Sequence, residues 1–194
     1  MGKLVVSQFI TVDGVIESPG GDGGFDRGGW AFQFEQGEEG QRFKLDELLA
    51  AGALLLGRLT YEGFAAAWPS MTDEAGFADK MNGMPKYVVS STLTDPSWNN
   101  SAVISGNVAE EIARLKPEID GDLLVNGSAQ LAQTLAEHDL VDEYRLMIFP
   151  IVLGAGKRLF GDTSHTAALR LVSAKPVGPD GIALVTYQPA GKDD

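Results

Sequence analysis

The chain of 194 residues contains no cysteine and only two histidines. The absence of cysteine excludes disulfide bonds, thiolate nucleophiles and cysteine-ligated zinc or iron–sulfur sites. His138 and His165 do not form the H-E-x-x-H motif of zinc proteases, so we expect no metal site. No apolar run approaches the roughly 18 residues of a membrane helix, and the sequence therefore predicts no membrane partner.

Basic residues are also scarce. The chain carries 15 Lys and Arg against 27 Asp and Glu, which gives a formal net charge of −12. A broad basic surface for nucleic acid is therefore not expected, and an anionic ligand must rely on a few local cations and backbone N–H groups. The amino terminus lacks the pattern of a secretory signal, and we expect a cytoplasmic protein.

Short apolar runs alternate with helix-patterned stretches along the chain. The predicted strands of this alternating part cover residues 4–10, 53–57, 86–91, 102–105 and 123–126. The predicted helices cover residues 42–51, 60–67, 73–82, 108–116 and 128–137. The runs at 53–57 and 123–126 are apolar at consecutive positions, which is typical of parallel strands buried on both faces.

The last three predicted strands cover residues 144–149, 169–172 and 182–187. The segments between them lack helices long enough to serve as crossovers. We therefore expect these strands to complete the sheet in antiparallel pairing. No composition break marks a linker. The sequence predicts one α/β domain spanning residues 1–194.

Residues 17–40 are rich in glycine yet carry Phe25, Trp30, Phe32 and Phe34. One interpretation is a flexible surface loop, because glycine clusters are typical of turns. The other is a lid whose aromatic rings close over a planar ligand, because long loops in small domains often bind ligands. The sequence leaves both open.

Three familiar motifs are missing from the chain. The P-loop fails because Ile151 stands where its first glycine is required before Gly156 and Lys157. The dinucleotide fingerprint G-x-G-x-x-G and the nucleophile elbow G-x-S-x-G do not occur. P-loop nucleotide hydrolases, classical Rossmann dehydrogenases and α/β-hydrolases are therefore disfavoured.

Small or polar residues instead follow the predicted buried strands, where α/β sheets bind their ligands. Gly57 allows a backbone to approach closely, Arg58 supplies a cation, and Thr60 is predicted to cap the next helix. This combination suits a phosphate group. The alternative is a capped helix that carries a surface arginine.

Two further strand ends have the same character. Ser90 and Ser91 follow one strand, and the segment Asn126, Gly127, Ser128 and Ala129 ends another with residues small enough for a ligand to lie against a helix start. Asp13 follows the first strand and precedes Gly14. It either shapes a turn or orients or protonates a substrate.

Six segments in this order resemble the dihydrofolate-reductase-like superfamily. The likeness is closer to the reductase domain of bifunctional riboflavin-biosynthesis deaminase-reductases and their stand-alone relatives. The matching segments are residues 11–14, 56–62, 86–93, 125–128, 140–143 and 149–160. The resemblance implies a dihydrofolate-reductase-like three-layer α/β/α fold, a mostly parallel central sheet with antiparallel C-terminal strands, a homodimer, and NADPH as cofactor.

The resemblance also implies roles for the strand-end residues. Gly57, Arg58 and Thr60 would contact the cofactor phosphates, and Ser90 and Ser91 the 2′-phosphate side. The segment expected at the pyrophosphate and nicotinamide ribose comprises Asn126, Gly127, Ser128 and Ala129. Leu59 stands where such reductases often carry a basic residue, so NADH is a possible alternative cofactor.

The implied activity is hydride transfer from the nicotinamide to a small planar substrate, as in a 5-amino-6-(5-phosphoribosylamino)uracil reductase. The expected substrate pocket lies between Asp13 as catalytic residue, the aromatic residues Phe25 and Trp30 of the glycine-rich segment, and Trp68. Dihydrofolate reductase activity is one alternative. A non-catalytic protein that binds a nucleotide or pterin is another.

Overall fold

The computed structural model describes residues 2–21, 24–162 and 166–191. The eight strands are β1 (Leu4–Thr11), β2 (Ala51–Gly57), β3 (Lys86–Val89), β4 (Ser101–Ile104), β5 (Asp122–Asn126), β6 (Glu143–Phe149), β7 (Leu169–Val177) and β8 (Ile182–Pro189). The five α-helices are α1 (Gly37–Ala50), α2 (Arg58–Ala67), α3 (Phe77–Gly83), α4 (Val108–Leu115) and α5 (Ala129–Glu137). Short 3-10 helices cover Trp30–Gln33, Trp68–Ser70 and Lys116–Glu118.

All eight strands form one sheet in the order β4-β3-β2-β5-β1-β6-β8-β7. Every neighbouring pair from β4 to β6 is parallel, whereas β6 with β8 and β8 with β7 are antiparallel. The predicted mostly parallel sheet with antiparallel C-terminal strands is confirmed. The predicted unstructured stretch is shorter than expected, because α1 begins at Gly37 and a 3-10 helix occupies Trp30–Gln33.

Helices cover both faces of the sheet because successive side chains of a strand point to opposite sides. On one face Leu4, Val6 and Ile10 of β1 pack with residues of α4 and α5. On the other face Val5 packs with residues of α1, α2 and α3. This is the three-layer arrangement. Within the described residues, no helix combines the length and the apolarity needed to cross a lipid bilayer.

A buried network of ion pairs joins the C-terminal half of α1 to the first residues of β5 and β6. The Arg145 guanidinium lies 2.7 Å from a Glu143 carboxylate oxygen, 3.1 Å from Asp122 and 3.5 Å from Glu47. Glu47, which is almost fully buried, also pairs with Lys44 on the same helix. Breaking one partner of such a network leaves an uncompensated buried charge, so the network holds α1 in one position.

Lys86, the first residue of β3, is completely buried. Its ammonium donates hydrogen bonds to the carbonyl oxygens of Asn82, Met84 and Asn99 at 2.8–2.9 Å and lies 4.2 Å from the centre of the Trp98 ring. Burial lowers the pKa of Lys86 from 10.5 to about 8. The side chain thus joins the end of α3 to the segment before β4.

This burial predicts a pH-dependent stability. Between pH 8 and 10.5 the unfolded chain binds more protons at Lys86 than the folded chain, so the free energy of unfolding rises with pH. Over this interval we expect the free energy of unfolding of wild type to rise by up to about 3 kcal/mol relative to that of Lys86→Met, as measured by urea unfolding. Lys80→Met on α3 should instead follow the wild-type profile. Parallel profiles for wild type and Lys86→Met would contradict the assignment.

Candidate cofactor and substrate site

The carboxyl ends of β3, β2, β5 and β1 meet at one edge of the sheet, since these strands are parallel neighbours. Helix α2 begins at Arg58 directly after β2, and α5 begins at Ala129 shortly after β5. The N-cap residues of these helices, Gly57 and Ser128, make no side-chain hydrogen bond to the first turn of their own helix. The first amides of a helix have no partner within the helix, so this edge offers two adjacent N-terminal dipoles to an anion.

Four of the predicted residues are joined by hydrogen bonds at this edge, and we call them the strand-end cluster. The Gly57 amide donates to Ser128 Oγ at 2.9 Å, and the Ser128 amide donates to Thr60 Oγ1 at 3.0 Å. The Ser128 hydroxyl donates to the Asn126 carbonyl at 3.1 Å. The cluster therefore fixes the start of α2 relative to the start of α5.

Thr60 has a different role from the predicted helix cap. The helix begins at Arg58 with Gly57 as its N-cap residue, so Thr60 already lies in the first turn. Its hydroxyl accepts a hydrogen bond from the neighbouring strand end instead of from its own helix. The reason is that β2 runs into α2 without an intervening loop.

The backbone conformation at position 127 requires glycine. Its φ of +56° lies in the left-handed region, and a Cβ atom there would lie 3.0 Å from Thr60 Oγ1. The Gln8 side chain fixes this residue by donating to the Gly127 carbonyl at 2.8 Å and accepting from its amide at 3.0 Å. Gln8 was not predicted, although a glutamine inside an otherwise apolar strand was the available signal.

Arg58 projects from the first turn of α2 and is 42% exposed. Its Nη1 donates to both carboxylate oxygens of Glu62, one helical turn further on, at 2.9 and 3.0 Å. An exposed pair of this kind contributes little stability, so the guanidinium can turn to another anion at small cost.

Ala129, at the start of α5, is buried in the core.

Ser90 and Ser91 follow β3 at the same edge. The buried Ser90 hydroxyl accepts hydrogen bonds from the amides of Thr92 and Leu93 at 3.1 and 2.9 Å. Ser90 therefore shapes the turn, and its contact with a cofactor stays a prediction. Ser91 is exposed and remains able to contact a ligand.

Asp13 is held as an ionised carboxylate. It accepts hydrogen bonds from the Thr11 hydroxyl at 2.6 Å and from the amides of Leu153 and Gly154 at 3.2 and 2.7 Å. The Thr11 hydrogen bond, assisted by these amides, lowers the pKa of Asp13 to about 2. A group with this pKa does not donate a proton near neutral pH. The carboxylate thus shapes the turn, while its catalytic role stays a prediction that, in this ionised form, consists of orienting a substrate.

The loop that contains Asp13 is joined to the segment after β6. The Ile16 amide donates to the Lys157 carbonyl at 2.9 Å, and the Leu159 amide donates to the Gly14 carbonyl at 3.0 Å. The Lys157 ammonium pairs with Glu17 at 3.2 Å. Residues 12–17 and 153–159 therefore act as one two-stranded ribbon beside the strand ends.

The aromatic residues of the glycine-rich segment do not line an open pocket together. Trp30 is completely buried, packs edge-on against Phe149 at 5.3 Å and donates its indole N–H to the Glu17 carbonyl. Its predicted place in the substrate pocket is corrected to a core position. Phe25 is half-buried and lies beside Gly156. Residues 22–23 of the predicted lid lie outside the described part.

Trp68 does line a cavity, of about 760 Å³, between α1 and residues 68–78. Its ring stacks on Phe77 with 5.4 Å between ring centres and an angle of 30°. The cavity reaches Glu38 in the first turn of α1. Gly37, the first residue of α1, lies against Gly178 in the turn between β7 and β8. Because β8 begins beside the carboxyl end of β6, this end of the cavity lies at the edge of the sheet where the parallel strands end.

The sheet order and the flanking helices define a dihydrofolate-reductase-like α/β fold. The RibD C-terminal domain family matches residues 2–183, and the chain belongs to that family. This confirms the expectation of a reductase family.

Two solved structures share the fold. A putative riboflavin biosynthesis protein from Shewanella sp. PV-4 superimposes with a TM-score of 0.76 at 20% identity, covering 96% of this chain and 98% of that one. A dihydrofolate reductase from Enterococcus faecalis, complexed with NADP(H) and RAB-propyl, gives a TM-score of 0.63 at 16% identity and covers 97% of both chains.

One sequence relative is more similar. The protein YyaP of Bacillus subtilis (strain 168) is 29% identical over 188 residues, which cover 95% of this chain and 94% of that protein. The similarity therefore extends over nearly the full length of both proteins.

The position of Asp13 predicts that its loss loosens the ribbon. In Asp13→Ala the amides of Leu153 and Gly154 lose their acceptor, and we expect a loss of on the order of 1–3 kcal/mol in the free energy of unfolding. Amide hydrogen exchange of residues 153–154 should speed up. The exposed Asp95→Ala serves as control and should change neither quantity. Unchanged exchange at residues 153–154 in Asp13→Ala would refute this role.

Proposed function

We propose that the protein is an NAD(P)H-dependent reductase of the riboflavin-biosynthesis type, which passes a hydride to a C=N or C=O bond of a small planar substrate. The observation that carries the proposal is the strand-end cluster, which joins the N-termini of α2 and α5 side by side. Such a pair of positive dipole ends suits the pyrophosphate of a dinucleotide.

Gly57 provides a test of whether the edge fits a cofactor. Its φ of −76° and ψ of 158° are accessible to any residue. A Cβ atom there would meet Ser128 at an ordinary contact distance of 3.5 Å. Neither the backbone nor the packing requires glycine at this position, which is what is expected where a ligand backbone must approach closely.

The cations at the edge are few. Arg58 is placed to contact a phosphate of the cofactor, and Ser91 would contribute a hydroxyl near the adenosine ribose. Leu59, which follows Arg58, is exposed and stands at the position where the resemblance implies a basic side chain, which would favour a 2′-phosphate. We therefore propose NADPH as the cofactor with NADH as an accepted alternative.

When bound, the nicotinamide supplies the hydride, and the protein positions the reactants. Asp13 fixes the ribbon beside the strand ends and stays ionised. Trp68 supplies an aromatic surface on which a planar substrate can stack in the cavity beside α1. Turnover of NADPH with a carbonyl or imine substrate distinguishes this enzyme from a binding protein that only retains a nucleotide or pterin. The homodimer and the cytoplasmic location stay predictions.

Removal of the Arg58 cation tests the phosphate contact. Arg58→Ala should weaken NADPH binding about 10-fold or more, since a charge-assisted hydrogen bond is worth about 1.5–3 kcal/mol. The affinity is measured by titration of nicotinamide fluorescence. Arg114→Ala is the matched control, because Arg114 is likewise a helical arginine bonded to a glutamate on its own helix. If Arg58→Ala binds NADPH as tightly as Arg114→Ala does, Arg58 is excluded from the site. If the wild-type protein does not bind NADPH, the proposed function is overturned.

Substitution of Gly57 separates folding from binding. Gly57→Ala should keep the free energy of unfolding within about 1 kcal/mol of wild type, because the added methyl meets no forbidden contact. NADPH affinity should nevertheless fall, because the methyl group enters the space of the cofactor. Gly106→Ala, in a loop with open space around it, is the control. A Gly57→Ala variant that binds NADPH like wild type would contradict the placement of the cofactor.

A further inference from the structure

We propose that the cavity beside α1 selects planar substrates without negative charge and disfavours phosphorylated ones. The inference rests on the proposed function, because it takes this cavity as the substrate site. It keeps the proposed hydride transfer but departs from the phosphoribosyl substrate that the resemblance implies, and it narrows the substrate class to neutral or cationic ring compounds. Two features of the cavity carry it, an aromatic wall and an excess of carboxylates.

Trp68 and Phe77 form an aromatic side of the cavity. Trp68 stacks on Phe77, and Phe64 meets the Trp68 ring edge-on at 6.4 Å and 84°. The Asn82 side chain donates to the Trp68 carbonyl at 3.0 Å, which fixes the backbone at the indole. Leu45 of α1 is among the apolar lining residues. Aromatic and apolar surfaces of this kind bind planar rings through stacking and burial.

Carboxylates dominate the charges that line the cavity. Glu38, Asp46 and Asp73 are opposed by the single guanidinium of Arg42. The Arg42 Nε atom lies 3.7 Å from an Asp46 oxygen, so the one cation is already partly paired. Taken together, these four side chains contribute a net charge of −2, from three acids and one base.

Asp73 keeps its charge. It accepts hydrogen bonds from the amides of Phe77 and Ala78 at 3.0 and 2.6 Å, and the Ala78 bond is the main reason that its pKa is lowered. The carboxylate therefore stays ionised near neutral pH.

Lys44, although it lies on α1 near the cavity residues, is turned toward the sheet. Its ammonium donates to Ser7 Oγ at 2.8 Å, pairs with Glu47 and lies 5.6 Å from the centre of the Phe9 ring. It therefore adds no positive charge to the cavity. At about 7 Å in water-like surroundings, repulsion between two unit charges changes binding about threefold, so a net charge of −2 disfavours even a singly charged phosphate by about tenfold.

Riboflavin and flavin mononucleotide form a matched pair of probes, because they share one planar ring and differ by a phosphate. Binding is measured in low salt, without nicotinamide cofactor, from the quenching of flavin fluorescence. We expect riboflavin to bind about tenfold more tightly than flavin mononucleotide and Trp68→Ala to lose riboflavin binding. Equal or tighter binding of flavin mononucleotide, or no riboflavin binding up to its solubility limit, would overturn the inference.

A charge reversal tests the cause. Glu38→Lys combined with Asp46→Lys should remove the preference for riboflavin. Glu110→Lys combined with Glu118→Lys makes the same change in net charge in the segment of α4 and the 3-10 helix that follows it, and should leave the preference intact. Loss of the preference in both double variants would assign it to overall charge and contradict a local effect. Because no cofactor is present, this result is independent of the NADPH titration that tests the proposed function.

Discussion

The site depends on the hydrogen bonds that join two neighbouring strand ends. Ser128 accepts from the Gly57 amide through its hydroxyl and donates to Thr60 through its amide. These bonds fix the N-termini of α2 and α5 beside one another, although the two helices pack on opposite faces of the sheet. The pairing of β2 with β5 brings the two helix starts to neighbouring positions, and these hydrogen bonds join them directly.

The net charge of −12 makes the proposed cofactor an unusual ligand for this protein. The cations near the strand ends are already paired within the described residues, Arg58 with Glu62, Lys157 with Glu17, and Arg158 at 3.9 Å from Asp13. Oriented backbone amides must therefore supply most of the attraction for the pyrophosphate. The same acidic surface disfavours anionic compounds elsewhere, which agrees with the charge of the cavity beside α1.

Much of this architecture could be predicted from the sequence, because apolar runs and turn residues carry it. The strand ends at Gly57 and at residues 126–128 are recognisable since small residues directly follow buried strands. The environment of Asp13 could not be predicted, because its partners Leu153 and Gly154 lie some 140 positions away in the chain. The core position of Trp30 could not be predicted for the same reason, because its ring packs against Phe149 of β6, far away in the chain.

We propose that the strand-end cluster holds the pyrophosphate of a nicotinamide dinucleotide. A crystal structure of the protein with bound NADPH tests it most directly. We expect the pyrophosphate to lie between the starts of α2 and α5. The Arg58 guanidinium should have turned from Glu62 to a phosphate. A cofactor bound elsewhere, with the Arg58 and Glu62 pair unchanged, would contradict the account.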